Sequence, residues 1–186
     1  MKPIPRDAYI LCGGQSSRMG REKTTMLLAG KRLVDWLIET IVEAGFRPHI
    51  VLKENQHVDT NVPTIFETST TLHPLVGVAT ALRHCPAEFA LILPCDIPLI
   101  EAPSLRLLAS HHKATFALGT APEPLLLWLP TLLANRAEHF AEHNRSARDF
   151  IEGFAPCQLP QSELLNLNTP EVHNEAARQL SSRSGR

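Results

Sequence analysis

The sequence has no excess of charge of either sign: 18 Lys and Arg face 19 Asp and Glu, a formal net charge of −1. A domain that holds nucleic acid through its phosphates carries a basic surplus, so no nucleic-acid partner is expected. No apolar run approaches the roughly 18 residues of a bilayer-spanning helix, so no membrane partner is expected either. Met1 to Asp7 holds two prolines and mixed charge, and lacks the apolar core of a signal peptide. The four cysteines, Cys12, Cys85, Cys95 and Cys157, show no C-x-x-C pair and no regular spacing. That argues against a zinc knuckle or a disulfide framework, and for reduced, mostly buried thiols in a cytoplasmic protein. There is no G-x-x-x-x-G-K-[ST] run, no G-x-G-x-x-G, no H-E-x-x-H and no G-x-S-x-G. His139 and His143 are four apart and share a helical face, but two ligands without a third make a poor metal site. They, with His111 and His112, read as solvated surface residues. No internal repeat, linker or low-complexity core breaks the chain.

What is present is the composition of one globular domain, with 44% apolar and 20% charged residues among 186. That length suffices for a full hydrophobic core. Residues 1–180 are expected to form a single domain, with a disordered tail from Ser181 to Arg186.

Strand-like and helix-like segments alternate. Ala8 to Cys12 is a short apolar run closed by Gly13-Gly14, and reads as a buried parallel strand. Val34, Leu37, Ile38, Ile41 and Val42 fall at helical spacing, with Gly45 as the stop. His49 to Leu52 and Thr64 to Phe66 read as the next strands. Leu75, Val78, Ala79 and Leu82 repeat the helical face, and Phe89 to Leu93 is another strand. Pro103 begins a helix, Thr115 to Leu118 and Leu125 to Trp128 are strands, the second at an edge, and Pro130 opens a further helix. Ser146-x-x-Asp149 resembles an N-terminal capping box. Leu164 to Leu167 reads as the last strand, and Thr169-Pro170-Glu171 begins the last helix. Such alternation predicts a three-layer α/β domain with a mainly parallel sheet. Ligands in these sheets gather beyond the C-terminal strand ends, which selects the residues after Cys12, Phe66, Leu93 and Leu167.

After the first strand the chain reads Leu11-Cys12-Gly13-Gly14-Gln15-Ser16-Ser17-Arg18-Met19-Gly20-Arg21-Glu22-Lys23. Its glycines let backbone N–H groups approach an anion without Cβ interference. Arg18 can grip phosphate oxygens bidentately, and Lys23 adds a compact charge near the reacting phosphate. Lys31, Arg32 and Arg21 lie close by in sequence and extend this basic cluster. After the Phe89 to Leu93 strand, Pro94-Cys95-Asp96-Ile97-Pro98 sets one carboxylate at a strand end. A hard cation such as Mg²⁺ needs only one or two such ligands when phosphate oxygens and waters complete its shell.

The Leu11 to Lys23 segment resembles the L-x-G-G-x-S-x-R-M-G-x-D-K signature of the molybdenum cofactor guanylyltransferases, with Glu22 where that family has Asp. Asp96-Ile97-Pro98 is similar to the family's metal-binding D-x-P element. His73-Pro74-Leu75-Val76-Gly77 resembles its G-P-L-A-G element, with His73 in the place of glycine, and Glu67 stands about where the family carries an Asp near the nucleotide. Glu123-Pro124-Leu125 looks like its E-P-L strand near the acceptor, Arg145-Ser146-Ala147-Arg148 is similar to its R-S-x-R segment, and Asn166-Leu167-Asn168-Thr169-Pro170 resembles its N-x-N-T-P element.

The resemblance covers Ala8 to about Leu180. It implies a Rossmann-like nucleotidyltransferase domain that transfers GMP from GTP to molybdopterin carrying molybdenum. Lys23, Arg18 and Asp96 would be catalytic, and Asp96 would hold Mg²⁺. Leu11, Cys12, Gly13, Gly14, Ser17, Arg18, Lys23, Glu67, Pro74, Leu75, Gly77, Asn166 and Asn168 would line the nucleotide site. Molybdoenzymes or their delivery chaperones would be downstream partners. A molybdopterin cytidylyltransferase, a cobinamide-phosphate guanylyltransferase and a non-catalytic homologue that binds nucleotide or cofactor are the alternatives. Cytidylyl enzymes tend toward Ala-Ala-Gly where this chain has Cys12-Gly13-Gly14.

Overall fold

Alternate residues of the first strand enter different layers. In β1 (Arg6–Leu11), Ala8 and Ile10 pack on one side of the sheet and Tyr9 on the other, all fully buried. The period of two that sends side chains to opposite faces therefore serves two cores at once, which is why the segment is apolar throughout. The computed structural model describes residues 6–13, 25–167 and 170–183.

The sheet has seven strands in the order β5-β4-β1-β6-β8-β7-β9. β4 (Phe46–Lys53), β5 (Thr64–Glu67) and β6 (Phe89–Pro94) run parallel to β1, as do β7 (Thr115–Leu118) and β9 (Ala155–Gln158); only β8 (Pro122–Pro130) is reversed. Ile10 stands between Ile50 of β4 and Leu93 of β6. On one face α1 (Leu33–Glu43) and α3 (Ala102–Leu108) bring Val34, Leu37, Ile41, Leu105 and Leu108 onto the sheet. The opposite face takes α2 (Pro74–His84), α4 (Ala134–Glu142) and the short α5 (Ala147–Phe150), through residues such as Leu75, Leu82, Ala137 and Phe150. Each such Leu, Ile or Phe stabilises the fold by ~1.5–3 kcal/mol through burial. The result is the expected three-layer α/β domain with a mainly parallel sheet.

A third, smaller core fastens the region after the glycine-rich segment. The hairpin of β2 (Leu27–Leu28) and β3 (Lys31–Arg32) packs with α6 (Pro170–Arg183) through Leu28, Leu33, Leu99, Leu167, Ala176 and Leu180. Trp36 Nε1 donates to the Leu28 carbonyl (3.0 Å), and His173 Nε2 donates to that of Leu27 (2.7 Å). Gly30 turns the hairpin at φ 81°, a left-handed value that favours glycine.

Several expectations are corrected. β8 is an inner strand, not an edge: Leu126, Leu127, Trp128 and Leu129 are buried, as a strand covered on both faces requires. Leu164 to Leu167 is not a strand; it follows a 3₁₀ turn at Gln161–Glu163 and makes one ladder-like bond, from Leu167 N–H to the Asp96 carbonyl (3.0 Å). The last strand is instead β9, whose Pro156 is tolerated because β9 lies at an edge. Pro130 ends β8, and a 3₁₀ turn at Thr131–Leu133 precedes α4. Val42, expected on the apolar face of α1, is 58% exposed. α6 continues to Arg183, past the Leu180 boundary, and residues 184–186 lie outside the described residues. Gly45, at φ 87°, does stop α1.

At the N-terminal end of the sheet, buried Asp7 accepts from Arg47 Nε (2.6 Å) and His49 Nε2 (3.1 Å). Burial alone would raise the Asp7 carboxyl, but these two hydrogen bonds and the nearby charges outweigh it and hold it below the usual range. Burial lowers the His49 imidazole, with Asp7 opposing; Nε2 donates to Asp7, and the buried Nδ1 has no hydrogen-bond partner among the described residues. Asp7→Ala should cost roughly 2–3 kcal/mol, because it strands the His49 N–H in the core. Urea titration would measure the loss. It should be full above the ordinary carboxylate value of 3.8 and fade as pH falls through the lower folded value.

Candidate functional site

β1 and β6 are adjacent and parallel, yet the chain leaves them toward opposite sides of the sheet. From β1 it passes through α1 to β4; from β6 it passes through α3 toward β7 and β8. The connections part at the sheet's C-terminal end, the place where such sheets form a crevice. A cavity of about 420 Å³ occupies it.

Leu11 and Gly13 line it from β1, Lys53 from β4 and Glu67 from β5. Leu72, His73 and Pro74 enter from the start of α2, and Pro94, Cys95 and Asp96 from the end of β6. Glu123 and Leu125 arrive on reversed β8, and Asn166 on the segment before α6. Backbone bonds continue the ladder past the strands and hold these ends together. Cys12 N–H donates to the Val51 carbonyl (2.9 Å), Cys95 N–H to that of Leu11 (3.2 Å), and Leu167 N–H to that of Asp96 (3.0 Å). Asn166 is thus delivered beside Asp96 without a strand. Buried Glu163 fixes the turn before it by accepting from Glu101 N–H (3.0 Å).

The acidic wall is tightly built. A Cβ at Gly13 would lie 2.7 Å from Glu67 Oε1, and one at Gly77 would lie 3.0 Å from that oxygen and 3.2 Å from Leu11 Cδ2. Both glycines therefore make room for this carboxylate, and Gly77 also seats α2 on the sheet. Burial pushes the Glu67 carboxyl above its ordinary range, with Lys53 partly opposing. His73 takes extended backbone (φ −140°, ψ 138°), so no glycine is needed there, and its Nδ1 caps α2 by accepting from Leu75 N–H (3.2 Å). Burial lowers its imidazole, with the backbone of Arg145 opposing.

Of the residues expected at a nucleotide site, Leu11, Gly13, Glu67, Pro74, Asp96 and Asn166 meet in this cavity. Cys12 and Leu75 do not line it: they are buried in the cores on opposite faces of the sheet. Gly77 stands behind the wall, against Glu67. Gly14, Ser17, Arg18, Lys23 and Asn168 lie outside the described residues.

Lys31 and Arg32 do not extend a phosphate cluster. Lys31 pairs with Glu39 and sits over the Trp36 ring (4.2 Å), while Arg32 grips Asp35 through two bonds (2.7 and 2.8 Å). The exposed Arg145 stacks on Phe140 (4.2 Å), and neither it nor Arg148 lines the cavity. Lys53 was missed, and the strand-end rule applied to the residue after Leu52 would have found it.

The cavity's oxygen donors suit a hard cation. Asp96 is buried at its wall, and Asn166 Oδ1 is buried with no hydrogen-bond partner among the described residues. A buried acceptor without a donor is costly, and a cation would satisfy it.

A MobA-like NTP transferase domain matches residues 8–162. The chain belongs to that family. It is accordingly a nucleotidyltransferase. It is 30% identical over 184 residues to a molybdenum cofactor guanylyltransferase of Ectopseudomonas mendocina, covering 91% of this chain and 90% of the relative. A second molybdenum cofactor guanylyltransferase, from Shewanella frigidimarina, is 30% identical and covers 94% of this chain and 96% of its own length. Among solved structures, molybdopterin-guanine dinucleotide biosynthesis protein A of Archaeoglobus fulgidus superposes with a TM-score of 0.79 at 22% identity, over 95% of this chain and 99% of that one. This MobA-like transferase has the Rossmann-like fold expected from its sequence. No described helix is long and apolar enough to cross a membrane.

Glu67 supplies a prediction. Its folded value is raised, so the ionised form costs stability above that value and nothing below the ordinary 4.5, where the group is protonated folded or unfolded. Glu67→Gln should therefore stabilise the ligand-free protein at neutral pH, with the gain vanishing as pH falls below 4.5. Denaturant midpoints across that range would test it.

Proposed function

We propose that this transferase moves GMP from GTP to the terminal phosphate of molybdopterin carrying molybdenum, forming a guanine dinucleotide cofactor and releasing pyrophosphate. The observation that carries the proposal is that buried Asp96 and Asn166, whose Oδ1 has no hydrogen-bond partner among the described residues, line one cavity at the switch point between β1 and β6. This occurs in a chain whose full-length relatives are named molybdenum cofactor guanylyltransferases.

In this reading the nucleoside enters between the end of β1 and the start of α2. Leu11 and Pro74 offer apolar surface, Gly13 lets the backbone come close, and Glu67 accepts from the nucleoside's N–H or O–H groups. The triphosphate lies along the segment after Gly13, where Gly14 and Ser17 supply backbone and hydroxyl donors and Arg18 and Lys23 offset its charge. Asp96, with Asn166 and Asn168, would hold Mg²⁺. When bound, that ion screens phosphate charge.

The acceptor enters past Glu123 and Leu125. Its phosphate oxygen attacks the α-phosphorus in line, a new P–O bond forms, and the α–β bridging P–O bond breaks as pyrophosphate leaves. The attacking phosphate is already ionised, so neither an enzyme nucleophile nor a strong base is required. Catalysis is positioning together with stabilisation of the charge gathering on pyrophosphate.

The test is a titration of GTP, CTP and ATP with and without Mg²⁺, on wild type and Asp96→Ala. Tighter GTP binding, strengthened by Mg²⁺ only when Asp96 is present, is expected; preference for CTP would move the protein to cytidylyl transfer. Asp96→Ala should also abolish metal-dependent turnover while leaving the fold intact. Lys23→Ala should lower turnover roughly 100-fold, as removing other preorganised donors does. Unchanged kinetics in saturating Mg²⁺ would remove that residue from the mechanism.

A further inference from the structure

The histidine pair that lacked a third ligand in sequence gains one in the structure. His139 and Glu142 lie on the last turn of α4, and His143 is its C-cap. One nitrogen from each ring and one oxygen of Glu142 all lie within 4.8 Å of one another, on exposed side chains. The two rings are 4.1 Å apart between centroids, tilted by 41°. His143 Nδ1 is 2.8 Å from the His139 carbonyl oxygen. A carbonyl only accepts, so Nδ1 carries the proton and Nε2 keeps a lone pair for a ligand. This is how metal-binding histidines are commonly held, with one nitrogen fixed on a carbonyl and the other free to ligate.

The helix end favours a cation, because the carbonyl end of α4 carries the negative pole of the helix dipole. Of the nearby guanidinium groups, Arg83 is hydrogen-bonded to Glu138, though its charge also reaches Glu142. Arg136 stacks over Phe154 (5.0 Å) and donates to the carbonyls of Phe150 and Glu152 (3.0 and 3.3 Å). Arg145 lies over Phe140. No residue of α4 lines the cavity.

We propose that His139, Glu142 and His143 form a surface site for a divalent transition-metal ion, of which Zn²⁺ is the representative, separate from the nucleotide cavity. Two imidazoles and one carboxylate are a donor set that Zn²⁺ accepts, with water completing its shell. Mg²⁺ prefers oxygen ligands and competes poorly for such a set. The two sites therefore sort metals by donor chemistry: nitrogen-rich on α4, all oxygen at Asp96 and Asn166.

The experiment is calorimetric titration of the full chain with Zn²⁺ in excess Mg²⁺, without nucleotide. One equivalent should bind, with an affinity unaffected by Asp96→Ala. His139→Ala or His143→Ala should each weaken it at least ~10-fold, a loss on the scale of altered metal-ligand shells. Glu142→Gln should have a smaller effect in the same direction. All three side chains are exposed, so unchanged urea midpoints would confirm intact folding of the variants. Wild-type affinity in the double variant His139→Ala/His143→Ala, loss of binding in Asp96→Ala, or no Zn²⁺ uptake by the wild type would each overturn the assignment.

Discussion

The hydrogen bonding of β1 on both of its edges is the constraint from which the rest of the molecule follows. Its two neighbours are parallel to it, so every one of the three strands ends at the same pole. Parallel neighbours need crossovers, and crossovers need helices on the faces. That demands a β1 apolar on both sides. The onward paths then separate, because the chain leaves β1 through α1 toward β4 and leaves β6 through α3 toward β7 and β8, and the gap between those paths is the cavity. Asp96 owes its place to this arrangement. It is the second residue past a strand whose register against Leu11 is fixed by the Leu11–Pro94 pairing.

The two poles of the sheet divide the polar work. At the N-terminal pole, Asp7 accepts from both Arg47 and His49, and Tyr9 stacks on His49 with its hydroxyl against His84. At the C-terminal pole Glu67 is desolvated, and the Asn166 oxygen has no hydrogen-bond partner among the described residues. The glycines at 13 and 77 both keep space for Glu67 at this pole.

Much of this was legible in the sequence wherever one local rule sufficed. Ala8 to Cys12 and Phe89 to Leu93 read as strands because both faces are buried and the run is uniformly apolar. Gly45 read as a stop because only a left-handed residue ends α1 there. Asp96 was found from the D-x-P element after a strand, and Glu67 from its resemblance to a family position. The rest was hidden where meaning depends on distant partners. Ala155 to Gln158 contains a proline, which an edge strand such as β9 tolerates, and Leu125 to Trp128 did not disclose the strand on their far side. Lys31 and Arg32 are neighbours of the basic loop in sequence but answer to Glu39, Asp35 and Trp36 in space. Leu164 to Leu167 has the composition of a strand, yet its backbone makes one ladder-like bond. Cys12 and Leu75 belong to segments that resemble the family's, and their side chains lie in the cores.

The way Asn166 reaches the cavity also orders events in time. The wall begins at Leu11 and closes at Asn166, so the chain must bring together residues separated by most of its length before the cavity wall is complete. Contacts of such long separation form late, after the entropy of closing the intervening loop has been met. A chain emerging from the ribosome can pair β1 with β4 and β6 and bury much of its core while still lacking the oxygen that stands with Asp96. Pairing of β1, β4 and β6 and closure of the cavity wall are therefore separate milestones, and a nascent chain can pass the first well before the second.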